Sequence, residues 1–233
     1  MSYDLFIGDK TLSSWSLRGW LLFEKFGIPV TEHAIGMYQG TMSEDMKPLF
    51  PARTVPVMRT PEGHIVQDTL AMAETLNDRH PDAGMWPKDA GARALARWIT
   101  AEMHSGFGAL RGACPMNLQR IWLGFEPSDA VLADLARLET LWCQARTTYG
   151  QNGPWLFGDY SIADVFYAPV ATRIITHKLP VSDMAMDYAH AHINDPAFLK
   201  WREGALTEDY GDTFKGSYQL PLDWTPWPES LWS

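Results

Sequence analysis

Apolar and polar positions follow two different rhythms along this chain, and the change of rhythm divides it. In the first third, short apolar runs alternate with turn residues. Tyr3 to Ile7 is one such run, closed by Gly8 and Asp9, and predicts a strand. From Trp15 the apolar residues Leu17, Trp20, Leu21, Leu22 and Phe26 recur at spacings of three and four, which predicts a helix stopped by Gly27 with Pro29 just beyond. Val30 to Ile35 reads as a second strand, and Gly36 to Pro51 as a polar loop with little periodicity. Val55, Val57 and His64 to Val66 flank the turn Pro61-Glu62-Gly63 and predict a hairpin. A second helical period runs from Thr69 through Met72, Ala73 and Leu76 to about His80, where Pro81-Asp82-Ala83-Gly84 ends it. Residues 1–80 therefore read βαβ then ββα, an α/β unit.

Past a linker at 81–88 the helical rhythm takes over, with almost no strand signal in 89–233. The predicted helices are Ala90 to Arg111, Ser128 to Tyr149, Ser161 to His177, Met184 to His192 and Pro196 to Gly204. Trp224, Trp227 and Trp232, set among prolines, predict a tail laid over the surface and pinned by its aromatic rings.

Composition narrows the function classes. Of 233 residues, 46% are hydrophobic and 20% charged, which excludes intrinsic disorder. Nineteen basic against 28 acidic residues give a net charge of -9, and the basic residues are scattered, so a phosphate-tracking surface for nucleic acid is not expected. Cys114 and Cys143 form no CxxC pair, which argues against a disulfide framework and a zinc module and for a reducing cytoplasm. The seven histidines show no metal-ligand spacing, so no metal is expected. No apolar run is long enough to span a membrane, and the start MSYDLFIGDK lacks the basic and then apolar pattern of a signal peptide. A soluble cytoplasmic protein acting on small molecules is the expectation.

Four short segments stand where elements begin. Ser13-Ser14-Trp15-Ser16-Leu17-Arg18 lies between the first strand and first helix, where a serine is by default an N-cap. Thr54-Val55-Pro56-Val57-Met58 opens the hairpin, and Gln67-Asp68-Thr69 opens the second helix, again with good capping residues. Ser161-Ile162-Ala163-Asp164 has the form of a capping box, with Tyr160 placed to staple against Val165.

Taken together and at these distances, the four segments resemble the cytosolic glutathione transferases, specifically bacterial serine-type members with a zeta-like motif, and the resemblance covers nearly the whole chain. It implies a thioredoxin-like α/β N-terminal domain and an all-α C-terminal domain. It also implies glutathione as co-substrate, with Ser13 or Ser14 presenting a hydroxyl to its sulfur. Counting back from Gly27-Ile28 selects Ser13, and counting from Arg18 selects Ser14. A hydroxyl donor at the positive end of a helix would favour the thiolate, the nucleophilic form. By the same resemblance the bond before Pro56 would be cis, and Val55 would pair with the cysteinyl backbone of glutathione. Arg53 or Thr54 would reach the ligand, and Asp68 and Thr69 would take the γ-glutamyl ammonium and carboxylate. Trp15, Met103, His104, Phe107 and Arg111 are candidates for lining an electrophile pocket, against the alternative that the apolar ones are bundle core.

The implied activity is thiolate attack on a small electrophile. The alternatives are a non-catalytic binding or protein-interaction module on the same fold, and a glutathione-dependent cis-trans isomerase of the maleylacetoacetate type. The zeta-like motif usually carries cysteine where Trp15 stands. A homodimer is implied as well, with the loop 36–51 and the helix from Ala90 as the contacts.

Overall fold

A computed structural model describes residues 2–37, 40–150, 153–208 and 220–227. The N-terminal half is built on a four-stranded sheet in the order β2-β1-β3-β4, formed by β1 (Tyr3–Ile7), β2 (Val30–Ala34), β3 (Val57–Arg59) and β4 (Ile65–Gln67). β1 runs parallel to β2 and antiparallel to β3, and β4 returns antiparallel to β3. The crossover between β1 and β2 is α1 (Ser14–Glu24), and α3 (Thr69–Arg79) follows β4, which gives the expected βαβ-ββα order. Gly19 allows α1 to lie close against the start of β3: a Cβ there would stand 2.7 Å from Pro56 Cγ. The segment 36–51 is not a plain loop. It holds a one-turn helix, α2 (Met42–Asp45), and a 3-10 turn at Lys47–Leu49, whose Met46 and Leu49 pack with Ile35, Val55 and Val57 in a small second core.

The helical half comprises α4 (Ala90–Ser105), α5 (Gly108–Ala113), α6 (Asp129–Tyr149), α7 (Ile162–Thr176), α8 (Asp183–Ile193) and α9 (Pro196–Leu206). One expectation fails here. The single helix expected over 90–111 is two helices, because Phe107 adopts the left-handed conformation (φ 56°) after the extended Gly106 and redirects the chain. The half is helical as expected, with one short addition: β5 (Arg120–Trp122) pairs antiparallel with β6 (Trp224–Pro226) from the tail. Trp227 beyond β6 is buried, donates its N–H to Gln119 O at 3.0 Å and lies under the Arg202 guanidinium, so the tail is pinned as expected at that ring. Trp232 lies outside the described residues.

α7 is predominantly apolar, with Asp164 and Arg173 its two charges, and every one of its residues is buried, as befits a helix at the centre of a bundle. α1 packs against it from the N-terminal half and α4 and α8 from the helical half, so one core is continuous across both halves. The start of α7 is fixed by Asp164. Its carboxylate accepts from Leu156 N–H at 3.1 Å, Ser161 N–H at 2.9 Å, the Ser161 hydroxyl at 3.0 Å and the Tyr188 hydroxyl at 2.8 Å. Burial pushes this carboxyl above its usual range, and the four donors oppose that push.

Asp164→Ala would leave those donors without an acceptor in the core. Orphaned buried donors cost about 1 to 3 kcal/mol each and loss of a cap about 1 kcal/mol, so the variant is expected to lose about 3 kcal/mol or more of unfolding free energy. Urea denaturation followed by tryptophan fluorescence measures this. A loss below about 1 kcal/mol would mean that the bonds to Asp164 contribute little.

Candidate functional site

The segment between β1 and α1 is held from the helical half. Glu208, just past α9, accepts Lys10 N–H at 2.8 Å and Thr11 N–H at 2.9 Å. The Lys10 carbonyl accepts from Trp201 Nε1 at 2.9 Å, and the Thr11 carbonyl from Leu118 N–H at 3.2 Å. The Thr11 hydroxyl donates to Ala205 O at 2.9 Å. Two residues later the chain enters α1. Ser13 is its N-cap: the Ser13 hydroxyl accepts from Ser16 N–H at 3.2 Å and donates to Ser16 Oγ at 2.8 Å, which also accepts Gly8 N–H at 3.0 Å. Ser13's proton is thus committed. Ser14 is the first helical residue, half-buried, and among the described residues no hydrogen bond engages its hydroxyl.

Ser14 faces a cavity of about 400 Å³ whose wall also includes Ser13, Trp15, Thr54, Val55, Arg111 and Arg173. A second cavity of about 280 Å³ adjoins it and shares Trp15, Thr54 and Val55. The rest of its wall is Pro56, Gln67, Asp68, Thr69 and His104. The Val55-Pro56 peptide bond is cis, as is Phe50-Pro51. Val55 precedes β3 and lies outside its ladders, which begin at Val57. The Gln67 side-chain oxygen accepts Arg53 N–H and, at 3.4 Å, Thr54 N–H, tying this approach to the end of β4.

At the start of α3, Asp68 takes a positive φ of 81°, a strained conformation for a side chain other than glycine. The turn lets one carboxylate oxygen cap the helix through Leu70 N–H at 2.8 Å while the other meets His104 Nε2 of α4 at 3.0 Å. The Thr69 hydroxyl is buried without a hydrogen-bond partner, and so is His104 Nδ1. Ligand donors or acceptors in the second cavity would satisfy both.

Guanidinium groups dominate the far side. Arg18, only 1% exposed, donates Nε–H to Phe166 O at 3.0 Å and leaves both terminal nitrogens without hydrogen-bond partners. It lies 4.4 Å from the Trp15 ring centre, and Arg111 lies 4.9 Å from it. Among the described residues, the Arg111 hydrogen bonds are long ones, 3.4 and 3.3 Å, to the carbonyls of His104 and Gly106. Burial, with Arg173 and Arg111 nearby, holds the Arg18 pKa well below the usual guanidinium value, and burial lowers that of Arg111. Neither cysteine lines either cavity, and burial pushes the Cys114 thiol up to about 12, so the chain itself offers no thiolate to either cavity. Among the described residues no three His, Cys, Asp or Glu side chains gather where an ion could bind.

Of the residues expected at the site, Ser13, Ser14, Trp15, Thr54, Val55 and Arg111 meet at the first cavity, and Pro56, Asp68, Thr69 and His104 at the second. Arg53 is exposed and lines neither, so Thr54 is the one of that pair that faces the cavities. Met103 and Phe107 are buried in the bundle core and line neither, because α4 turns Met103 inward and the break at Phe107 buries its ring. His104 faces the second cavity beside Asp68 and not the arginine side. Sequence reasoning missed Arg173. Its signal was a basic residue inside α7, where Asp164 is the only other charge.

Comparison with known proteins accords with this geometry. Residues 12–79 match the family described as glutathione S-transferase, N-terminal domain. A probable maleylacetoacetate isomerase of Caenorhabditis elegans is 31% identical over 127 residues, covering 53% of this chain and 59% of that protein. A maleylacetoacetate isomerase of Pseudomonas aeruginosa is 30% identical over 129 residues, covering 52% and 57%. The chain thus spans less than two thirds of the curated relatives it matches. Among solved structures, a glutathione transferase homologue from Burkholderia with bound glutathione superposes with a TM-score of 0.68 at 18% identity, over 89% of this chain and 100% of that one. A diazinon-metabolizing glutathione S-transferase of the silkworm Bombyx mori gives 0.67 at 17% identity, over 88% and 98%. At such identities the likeness is one of fold.

Proposed function

We propose that this chain, which carries a glutathione S-transferase N-terminal domain and has the fold of that family over most of its length, binds glutathione and activates its thiol for attack on a small electrophile. One observation carries the reading: the unengaged hydroxyls of Ser14 and Thr69, each at the first position of a helix, face two cavities that meet at Val55. A thiol and an amino-acid head group carried by one small peptide match the chemistry of such a pair of sites. The γ-glutamyl ammonium would meet Asp68 and its carboxylate would meet Thr69 and the amides of α3. The cysteinyl backbone would lie along Val55, outside the ladder. Its sulfur would then reach Ser14 at the positive end of α1, where a donated hydrogen bond and the helix field lower the thiol pKa. With its proton released to water, the thiolate gives an electron pair to an electrophilic carbon held in the first cavity, and the new carbon–sulfur bond is balanced by a leaving group that departs with its electron pair or by a π bond whose electrons take up a proton from water.

The commitment of the Ser13 proton to Ser16 supports Ser14 as the donor to sulfur and Ser13 as the cap that positions it. An isomerase reading, in which glutathione adds to the substrate and leaves again, draws on the names of the two curated relatives, which match about half of this chain. Cytoplasmic location belongs to the same proposal. Among the described residues no helix is long and apolar enough to cross a membrane. We also propose a homodimer, because Phe50 in the 36–51 segment is 82% exposed and Trp98 on α4 is 52% exposed, at the two places where subunits of this fold family usually meet.

Ser14→Ala should cut turnover near neutral pH by about ten- to a hundredfold, the equivalent of one hydrogen bond to a charged group, and shift the ultraviolet absorbance of bound thiolate to higher pH. Ser13→Ala should chiefly lower stability. A Ser14→Ala enzyme with unchanged turnover and absorbance would reject the assignment. Asp68→Asn should raise KM for glutathione about ten- to a hundredfold with kcat nearly kept, since contacts remote from sulfur bind ground state and transition state alike. An unchanged KM would leave Asp68 as a helix cap alone. Light scattering at micromolar concentration should give twice the chain mass, and Phe50→Ala should shift it toward the monomer. A wild-type monomer would dispose of the dimer.

A further inference from the structure

Activating a thiol with one hydroxyl requires that hydroxyl in a set place, and among the described residues no hydrogen bond engages the Ser14 hydroxyl to set it. Its place is inherited from the turn before α1, where Ser13 N–H donates to Asp9 O and Ser14 N–H to Leu12 O, each at 3.0 Å. That turn carries Lys10 and Thr11, and one carboxylate from the helical half holds both of their amides. Glu208 Oε1 accepts Lys10 N–H at 2.8 Å, and Oε2 accepts Thr11 N–H at 2.9 Å. The Lys10 ammonium is engaged with Glu32 at 2.9 Å. Glu208 lines neither cavity. It is held in turn by Gln119, whose side-chain amide donates to Glu208 O at 3.0 Å and Ala205 O at 2.8 Å, and whose own carbonyl takes the Trp227 N–H. A chain of bonds therefore runs from the tail through Gln119 and Glu208 to the start of α1.

By its charge alone Glu208 is badly placed for thiolate chemistry. A carboxylate beside the approach to α1 opposes the positive field of the helix end and disfavours an anion there. What it contributes is geometry, a charge-assisted hold by two oxygens on two successive amides. We propose that Glu208 is a positioning residue for thiol activation: through the backbone of Lys10 and Thr11 it sets where the Ser14 hydroxyl stands, with Gln119 as its support. This rests on the glutathione-dependent reading and assigns to that site a control lying outside both cavities.

The test follows the ultraviolet absorbance of glutathione thiolate on the intact protein as pH is varied, with titration calorimetry for affinity. Glu208→Gln keeps the size of the side chain, removes its charge and turns one acceptor oxygen into a donor that faces an N–H. The pKa of the bound thiol should rise, so that the thiolate fraction at neutral pH falls about three- to tenfold, a part of what one hydrogen bond to a charged group contributes. Affinity at a pH where the thiol is protonated should be nearly kept. Gln119→Met leaves the Glu208 charge in place and removes its support, and should move the thiol pKa in the same direction by less. In a Ser14→Ala background Glu208→Gln should no longer raise the pKa, because the effect passes through that hydroxyl. If Glu208 acted through its charge, Glu208→Gln would lower the thiol pKa, and if it served folding alone, only the melting temperature would change. Either result overturns the inference and leaves the glutathione reading standing, as does an unchanged pKa in Gln119→Met, which decides alone should Glu208→Gln fail to fold. An equal rise in the Ser14→Ala background also overturns it. Wild-type protein that binds no glutathione would remove the glutathione reading and this inference with it.

Discussion

Both amides and both carbonyls of Lys10 and Thr11 are satisfied from the helical half, by Glu208, Trp201 and Leu118, and the rest of the site depends on that attachment. A loop between a strand and a helix would ordinarily have the freedom to move with its own backbone groups in water. Here two carboxylate oxygens from one glutamate replace water at consecutive N–H groups, and charge-assisted bonds of this kind are among the stronger in proteins. The segment is therefore fixed before any ligand arrives, and Ser13 and Ser14 enter α1 at a set angle. Preorganised donors cost no reorganisation when charge develops on sulfur, which is why a proposed thiolate site gains from being anchored across the domain boundary. Gln119 extends the clamp by donating from its side-chain amide to Ala205 O at 2.8 Å and Glu208 O at 3.0 Å.

The same boundary carries an energetic tension. Arg18 from α1 is buried against Phe166 of α7, with one of its three nitrogens bonded and the others unsatisfied. Packing of α1 on α7 holds it there, since the apolar faces of both helices are buried with it. Cation–π contact with Trp15 and Phe166 offsets part of the desolvation. The remainder is an uncompensated cost, and unfavourable burial of this sort persists where the surrounding structure over-determines it.

Much of the fold was legible because local periodicity and packing agree. The spacing from Leu17 to Phe26 and the turn at Pro61-Glu62-Gly63 each specify one element from neighbouring residues, and both elements form. What was not legible depends on distant or non-local partners. β5 is three residues long and exists only because Trp224 to Pro226 pairs with it from a hundred residues on. The break at Phe107 runs against helical periodicity, since a bulky residue at φ 56° carries no sequence signal of its own. Met103 and Phe107 satisfied the pattern of a pocket face and of a core face equally, and only the turn between α4 and α5 decides between them.

The candidate site itself lay in the grammar of helix caps, one step further than capping goes. Seven helices longer than two turns are described, and each begins with Ser or Asp at its N-cap: Ser13, Asp68, Asp89, Ser128, Ser161, Ser182 and Asp195. A cap by itself therefore says nothing about function. The residue after it does differ. It is alanine, aspartate, isoleucine, aspartate and proline in the helices from α4 onward with caps of this kind, and a hydroxyl residue only in α1 and α3, where Ser14 and Thr69 follow. The cap satisfies the helix, so the hydroxyl behind it is surplus to folding, and at both helices it is left facing a cavity without a partner among the described residues. Burying such a group unpaired, as at Thr69, is unfavourable in the empty protein and is offset when a ligand supplies the missing bond. Two surplus hydroxyls at the positive ends of two helices, with Val55 between them, are what a small anionic peptide with a thiol in its middle would use.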